Sequence, residues 1–210
     1  MSELFSIQLQ NRQQQGRDGV WLDLPTTTEQ VQAALRQIGI SSDNPQGLFI
    51  SGYFAEEEKR FAIPYNMVLA SNVDELNFLA SRLETLSTGE RTELNAVLQA
   101  LQSELFSIGR ITDFPENVDY YVHLPDVHGP AQLGDYYLNR SGMVNMPEEW
   151  KGGIDTAQFG RYVAQQEQGV FTEYGYLVKS GDEWQKVHEG QPVPEEYRVP
   201  VSYTHLRAHE

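Results

Sequence analysis

The spacing of the apolar residues changes along this chain and constrains its fold more than any other sequence feature. Three early segments alternate with a period of two or form a short apolar run: FSIQLQN (5–11), GVWLDLP (19–25) and GLFISGYF (47–54). Thr26 and Glu29 predict a capping box that begins a helix. FAIPY (61–65) predicts an edge strand, because Pro64 has no N–H to donate. We therefore expect a first domain, residues 1–66, with a small sheet and one helix.

The middle of the chain has the helical period instead. Two stripes of apolar residues repeat at three- and four-residue spacing on either side of the short segment LSTGE. Asn72 with Glu75, and Ser87 with Glu90, predict the capping boxes that begin two helices. Because the connection is short, we expect these helices to form an antiparallel hairpin within a central helical domain, residues 67–112.

Short strands and helices alternate again in the last part of the chain. NVDYYVHLP and GVFTEYGYLVK predict strands, GPAQLGDYYLNRSG predicts a short helix, and DTAQFGRYVAQQ is compatible with a helix or an irregular segment. These segments predict a C-terminal α+β domain, residues 113–200. The predicted fold class is α+β: a chain of three small domains, in which two small antiparallel-sheet units flank a helical middle domain. Residues 201–210, VSYTHLRAHE, resemble translated sequencing-adapter DNA and form a suspected non-native tail.

The charge balance narrows the classes of partner. Thirty acidic and fifteen basic residues give a net charge of −15 at pH 7, whereas a nucleic-acid-binding surface is basic. The chain has no cysteine, and therefore no disulfide framework, no thiolate nucleophile and no Cys-ligated zinc. It shows neither a secretory signal pattern nor an apolar run of about 20 residues that would span a membrane. We expect a soluble, cytoplasmic protein that binds neither nucleic acid nor membrane.

The best candidate for a metal site is HLPDVH, in which His123, Asp126 and His128 are all ligand types. Their spacing fits no standard zinc signature, so polar residues of an ordinary loop are the alternative interpretation. The sequence contains no nucleophile elbow, Walker A loop or dinucleotide-binding glycine motif. This favours a binding protein over an enzyme, with no catalytic residues and no cofactor. A small metal-dependent hydrolase that uses these three residues stays open as an alternative.

The acidic residues are dispersed and do not form one block. Between Thr92 and Asn139 there are seven acidic residues and one base, Arg110, spread over predicted helices, loops and strand ends. Duplex DNA presents about one negative charge per 1.7 Å of its axis, and carboxylates spaced on a rigid frame can imitate that pattern. A decoy for a DNA-binding groove is therefore one hypothesis. Ordinary solvated helix faces are the alternative for each residue taken alone.

Eight segments carry a family resemblance, and they occur in order over residues 5–178. They are VWLDLP, LFISGYF, VDELNFLASRLETL, ERTELNAVLQAL, DYYVHLPDV, LGDYYLNRSG, IDTAQFGR and GVFTEYGYLV. This colinear set resembles the ArdA-type antirestriction proteins carried by plasmids, phages and conjugative elements. Members of that family are elongated, three-domain DNA mimics that dimerise and occupy the DNA-binding groove of Type I restriction–modification enzymes.

The resemblance implies inhibition by competition with DNA, without catalysis, and the methyltransferase core as the partner. It also implies a homodimer formed through the C-terminal domain, with Tyr174 and Tyr176 as exposed interface candidates. An acidic adaptor that binds another basic DNA-binding protein is the remaining alternative. The predicted partner-binding surface, called the acidic surface below, comprises Glu56, Glu57, Glu58, Asp74, Glu75, Glu84, Glu90, Glu93, Glu104, Asp113, Glu116, Asp119, Asp126 and Asp135.

Overall fold

The structure is a computed structural model, and it describes residues 3–14, 18–41, 46–56, 60–100 and 107–199. Two separate three-stranded antiparallel sheets, with helices between them in the sequence, confirm the α+β class. The suspected tail, 201–210, lies outside the described residues.

The chain divides into two compact units. The first unit comprises Met1–Leu86, Leu105–Pro115 and Lys186–Glu210, and the second comprises Ser87–Glu104 and Glu116–Gln185. Both units are therefore built from segments that are distant in sequence. The division into domains 1–66, 67–112 and 113–200 stays a prediction.

The first unit contains a sheet in the order β2-β1-β3. Its strands are β1 (Phe5–Asn11), β2 (Val20–Leu24) and β3 (Leu48–Phe54). Phe5, Ile7 and Leu9 are buried while the residues between them are half-buried, which confirms the period-two prediction for β1. Leu22 and Leu24 of β2 continue the same buried face.

Helix α1 (Thr28–Gln37) begins one residue later than the sequence predicts. Thr27 is the N-cap: its hydroxyl accepts the Gln30 N–H at 3.4 Å, and the Gln30 side chain accepts the Thr27 N–H at 3.0 Å. The predicted capping box at Thr26 and Glu29 is wrong because Thr26 is buried, and its backbone N–H donates to Asn77 Oδ1 at 2.7 Å.

The predicted edge strand FAIPY is also wrong. Residues 61–64 have no regular structure, and Pro64 is the N-cap of α2 (Tyr65–Ala70). Phe61 and Ile63 are nonetheless buried, because the segment runs into the core of the first unit.

The two longer helices of the middle region begin where the sequence predicts. Asn72 Oδ1 accepts the Glu75 N–H at 2.9 Å at the start of α3 (Val73–Glu84). At the start of α4 (Thr88–Ala100), Glu90 Oε2 accepts the Ser87 N–H at 2.6 Å and Ser87 Oγ accepts the Glu90 N–H at 3.4 Å. Both capping boxes are confirmed.

The predicted antiparallel hairpin of these helices stays a prediction, because α3 and α4 belong to different compact units. Each apolar stripe packs inside its own unit. Helix α3 packs on β2 and on α5 (Ile108–Thr112) in the first unit. Helix α4 packs on the sheet of the second unit. Each helix thus contributes its apolar stripe to the core of its own unit.

The second unit has a sheet in the order β4-β6-β5, with α4 packed on β5 and β6. Its strands are β4 (Tyr121–Leu124), β5 (Val170–Thr172) and β6 (Gly175–Lys179). Its other helices are α6 (Pro130–Asp135), which continues into a π-helical turn over Tyr136–Arg140, α7 (Glu148–Lys151) and α8 (Thr156–Glu167). DTAQFGRYVAQQ is therefore a helix.

Helices α6 and α8 cross at two glycines. A Cβ atom on Gly134 would collide with the carbonyl oxygen of Thr156, and one on Gly160 would collide with the carbonyl oxygen of Pro130. The two backbones therefore touch, which explains the glycines in the LGDYYL and QFGR segments. Within the described ranges, no helix combines the length and the apolar character needed to cross a lipid bilayer.

Candidate acidic surface

The carboxylates of the acidic surface occupy different environments. Glu57, Glu58 and Glu104 lie outside the described residues. The side chains exposed to water are those of Glu56, Asp119 and Asp126. Those partly covered by the protein are Asp74, Glu75, Glu84, Glu90, Glu93, Glu116 and Asp135.

Asp113 is fully buried, so its prediction as a surface carboxylate is wrong. Its Oδ1 accepts the His188 N–H at 2.7 Å, and its Oδ2 accepts those of Val187 at 3.2 Å and Glu189 at 3.1 Å. A buried carboxylate needs such donors, because burial removes its hydration. Asp113 therefore holds a backbone turn and presents no charge to a partner.

The turn that Asp113 holds belongs to residues 186–199, which we call the C-terminal strap. Val199 N–H donates to Asp74 Oδ1 at 2.9 Å, and burial raises the pKa of Asp74. Asn77 donates to the carbonyl oxygen of Tyr197 at 3.0 Å. Two carboxylates of the acidic surface thus bind the strap inside the first unit.

Aromatic contacts attach the strap to the same helix. The Phe78 ring meets the His188 ring edge to face with centroids 4.9 Å apart, and it meets the Tyr197 ring at 4.8 Å. The sequence assigned no role to this segment. One signal in the sequence is the polar Asn77 within the apolar stripe of α3, because a buried amide needs hydrogen-bond partners from elsewhere in the chain.

Glu93 lies near two other carboxylates of the second unit. Burial, and then repulsion from Glu90 and Asp119, raise the pKa of Glu93 to about 8. Its Oε1 atom is buried without a hydrogen-bond partner among the described residues. Hydrogen bonds from the Ser87 side chain and backbone lower the pKa of Glu90 instead. At neutral pH, Glu93 is therefore mostly protonated while Glu90 carries its charge.

Cations neutralise part of the surface. Arg140 lies 3.4 Å from Asp135, and its guanidinium also lies over the Tyr136 ring, 5.6 Å from the centroid. No ion pair involves Asp119 or Asp126 within the described ranges. The two exposed aspartates therefore present more of their charge to a partner than Asp135 does.

The prediction that Tyr176 is exposed is wrong. Its ring is fully buried beside Val127 and Leu133, and its hydroxyl donates to Glu167 Oε2 at 3.0 Å. Glycine at position 169 makes room for the hydroxyl, since a Cβ atom there would collide with it. Tyr174 is half-buried, and its place in a dimer interface stays a prediction.

The predicted metal ligands do not converge. The ring Nε2 of His123 lies 2.8 Å from the carbonyl oxygen of Tyr174, and the backbone N–H of His128 donates to Gln132 Oε1 at 2.7 Å. Considering the described residues, the ligand atoms of His123, Asp126 and His128 are not all within 4.8 Å of one another. The hydrolase alternative therefore lacks its predicted site.

The fold and these contacts define an acidic α+β protein whose carboxylates cap helices, bind backbone turns or face water. Residues 15–178 match the antirestriction protein (ArdA) family. The chain belongs to this family, whose members are non-catalytic antirestriction inhibitors, and the resemblance read from the sequence is confirmed. No curated protein matches the chain in the corresponding comparison. The C-terminal strap follows the matched region, whereas its partners Asp74, Asn77, Phe78 and Asp113 lie within that region.

Proposed function

We propose that this protein is a DNA mimic that inhibits Type I restriction–modification enzymes by occupying the DNA-binding groove of the methyltransferase core. Family membership is the observation that carries this proposal, because it supplies the antirestriction role. The net charge of −15 supports it, since a groove built for phosphates attracts a negative surface. The protein acts in the cytoplasm of a cell that carries a mobile element, without catalysing a reaction.

The proposed contact surface consists of the acidic surface without Asp113, and Glu93 adds little charge to it because its raised pKa keeps it mostly protonated at neutral pH. Glu56, Asp119 and Asp126 are its exposed members, and Asp74 contributes less because the C-terminal strap covers it. Glu57, Glu58 and Glu104 belong to it on the sequence alone. The triple glutamate after β3 thus serves as part of a negative surface.

The proposal includes a homodimer formed through the C-terminal region. With Tyr176 assigned to the core, Tyr174 is the aromatic candidate that remains from the sequence. Light scattering on the purified chain measures the mass directly. A mass of one chain at micromolar concentration would contradict the dimer and leave the DNA mimicry untouched.

Competition with duplex DNA tests the function itself. A labelled duplex bound to a Type I methyltransferase core is titrated with the protein at increasing salt. We expect stoichiometric displacement of the DNA and an affinity that falls steeply with salt, because counterions screen the spread charges. Simultaneous binding of DNA and protein, or insensitivity to salt, would contradict the proposal.

Amide substitutions locate the surface. Asp119→Asn, Asp126→Asn and Glu56→Gln each remove one charge and leave the shape nearly unchanged. We expect each to weaken binding by a factor of about two to five, because a single surface charge contributes little. Glu183→Gln is the matched control, since Glu183 is exposed and lies outside the acidic surface. An equal loss in the control would mean that net charge alone attracts the enzyme.

A further inference from the structure

The outer face of the first sheet carries exposed aromatic rings. Across the strands, Ser6 of β1 pairs with Asp23 and with Phe54, and Gln8 pairs with Trp21. These residues point away from the face that buries alternate residues of β1. Trp21 is 49% exposed and Phe54 is 58% exposed, and their rings meet edge to face with centroids 6.4 Å apart.

The Trp21 ring packs over Gly52, which has no side chain. Gly52 faces Gln8 across the sheet, and a Cβ atom on Gly52 would come within 3.1 Å of the Trp21 ring and of Gln8 Cβ. The ring therefore reaches from β2 over β1 to β3, where the absence of a side chain accommodates it. Ser51 Oγ donates to the backbone oxygen of Gln8 at 3.3 Å. The aromatic pair is thus held in place by the sheet and is not a lone exposed side chain.

Carboxylates border this aromatic pair. Asp23 Oδ1 accepts a hydrogen bond from Ser6 Oγ at 2.6 Å, in the cross-strand row that also contains Phe54. Glu56 is exposed two residues beyond Phe54. The combination of aromatic faces and carboxylates favours a guanidinium, because the ring quadrupole attracts the cation while the carboxylate accepts its N–H groups.

The same sheet already shows this contact within the chain. The Arg12 guanidinium lies 5.3 Å from the centroid of the Phe49 ring. Phe49 pairs with Gln10, which shares the outer face with Gln8. An arginine that stacks on an aromatic ring is therefore compatible with the geometry of this face.

We propose that Trp21 and Phe54 form an aromatic anchor that receives an arginine side chain from the DNA-binding groove of the inhibited enzyme. This inference rests on the proposed function and identifies a contact that carboxylates alone do not supply. Intact duplex DNA presents phosphates and base edges, while its base faces are stacked and closed to side chains. A π-face offered to an arginine is therefore a contact that the protein adds to its phosphate-like charges. Carboxylates imitate the phosphates, and the anchor offers the π-face. At protein interfaces a few aromatic residues commonly carry a large share of the binding energy.

The experiment compares the full-length protein with Trp21→Ser, Phe54→Ser and the double variant in binding to a purified Type I methyltransferase core. We expect the double variant to bind about 10- to 100-fold more weakly, with an unchanged dependence of affinity on salt, because no charge is removed. Trp21→Phe retains an aromatic face and should lose less. Met143→Ser is the matched control, since Met143 is 76% exposed and apolar but lies in the second unit. Circular dichroism checks that each variant is folded.

The outcomes separate the anchor from the proposed function. If the unmodified protein does not bind the core, the proposed function fails and the anchor fails with it. If the unmodified protein binds and the folded double variant binds equally well, only the anchor is wrong. If the double variant changes a dimer into a monomer by light scattering, the face is an interface between two copies, and the arginine contact is overturned.

Discussion

The carboxylate of Asp113 accepts the backbone N–H of His188 at 2.7 Å, across 75 residues of sequence. Asp113 caps the C-terminal end of α5, and the turn it binds begins the C-terminal strap. Arg110, one turn earlier, lies 3.5 Å from Glu189 of the same turn. This attachment makes the strap part of the first unit.

Replacing this carboxylate should loosen the strap. In Asp113→Asn, an amide NH2 group replaces one acceptor oxygen, so at least one backbone N–H loses its partner. We expect a loss of about 2–4 kcal/mol in the free energy of unfolding of the first unit. Amide hydrogen exchange at Val187, His188 and Glu189 measures this loss of stability residue by residue. Asp126→Asn, at an exposed position, is the control, and unchanged exchange in Asp113→Asn would contradict the assignment.

Two shortened chains should distinguish the contribution of the strap to stability from that of the residues beyond Val199. A chain that ends at Val199 keeps the contacts of Asn77 and Phe78 with the strap, whereas one that ends at Gln185 loses them. We expect the first to melt close to the full-length protein. The second should melt several degrees lower and bind a dye for exposed apolar surface, because a 1 kcal/mol loss lowers Tm by about 2–8 °C. Equal melting temperatures for the two would show that the strap contributes nothing to stability.

Glu93 should make stability depend on pH. The pKa of this group rises from 4.5 when free to about 8 in the folded protein. Between these values the unfolded chain binds fewer protons at this position, so its contribution to the free energy of unfolding falls as the pH rises.

Glu93→Gln keeps the shape and removes the charge. We expect the variant to match the unmodified protein near pH 4 and to exceed it by about 1 kcal/mol at pH 8, after allowing for partial exposure. Urea unfolding at the two pH values measures the difference. An equal difference in the free energy of unfolding at both pH values would mean that the substitution changes packing and that Glu93 does not titrate in this range.

The crossing of α6 and α8 should not tolerate a methyl group. Gly134→Ala or Gly160→Ala places a Cβ atom against a backbone carbonyl of the other helix, which cannot move as a side chain can. We expect each substitution to destabilise the second unit by about 1–3 kcal/mol or more. Thermal unfolding measures the loss.

Gly89→Ala is the matched control for that crossing. Gly89 lies in α4 of the same unit, and a Cβ atom there would have no neighbour within 4 Å. Gly89 lies in the first turn of the helix, so we expect no loss of stability and a gain of at most about 0.5–1 kcal/mol. If the crossing variants behave like this control, the helices are farther apart than the structure places them.

Features set by neighbours in sequence were predictable. The period of two fixed which residues of β1 are buried, and two capping boxes were found at their residues because such a box needs only four consecutive positions. The exception was α1, where Thr26 resembles a cap but Asn77, 51 residues away, takes its N–H. The sequence correctly predicted a capping box here, but the hydrogen bond to Asn77 places the N-cap at Thr27, one residue later.

Features set by distant segments were not predictable. An apolar stripe on a helix does not identify the element that it packs on. The structure shows that α3 packs on β2 and α5, and that α4 packs on β5 and β6. The sequence does not show which face of β6 is buried. Tyr176 lies in the core, where its hydroxyl donates to Glu167 and the absence of a side chain on Gly169 leaves room for it.

The sequence by itself determined the fold class, the sign of the charge and the family, because periodicity, composition and an ordered set of motifs are written along the chain. Only the tertiary structure decided which carboxylates face water. Asp113 and Asp119 are alike in the sequence, yet one binds three backbone N–H groups while the other stays exposed. The reason is physical: a carboxylate leaves water only where donors replace its hydration, and those donors come from residues more than 70 positions away.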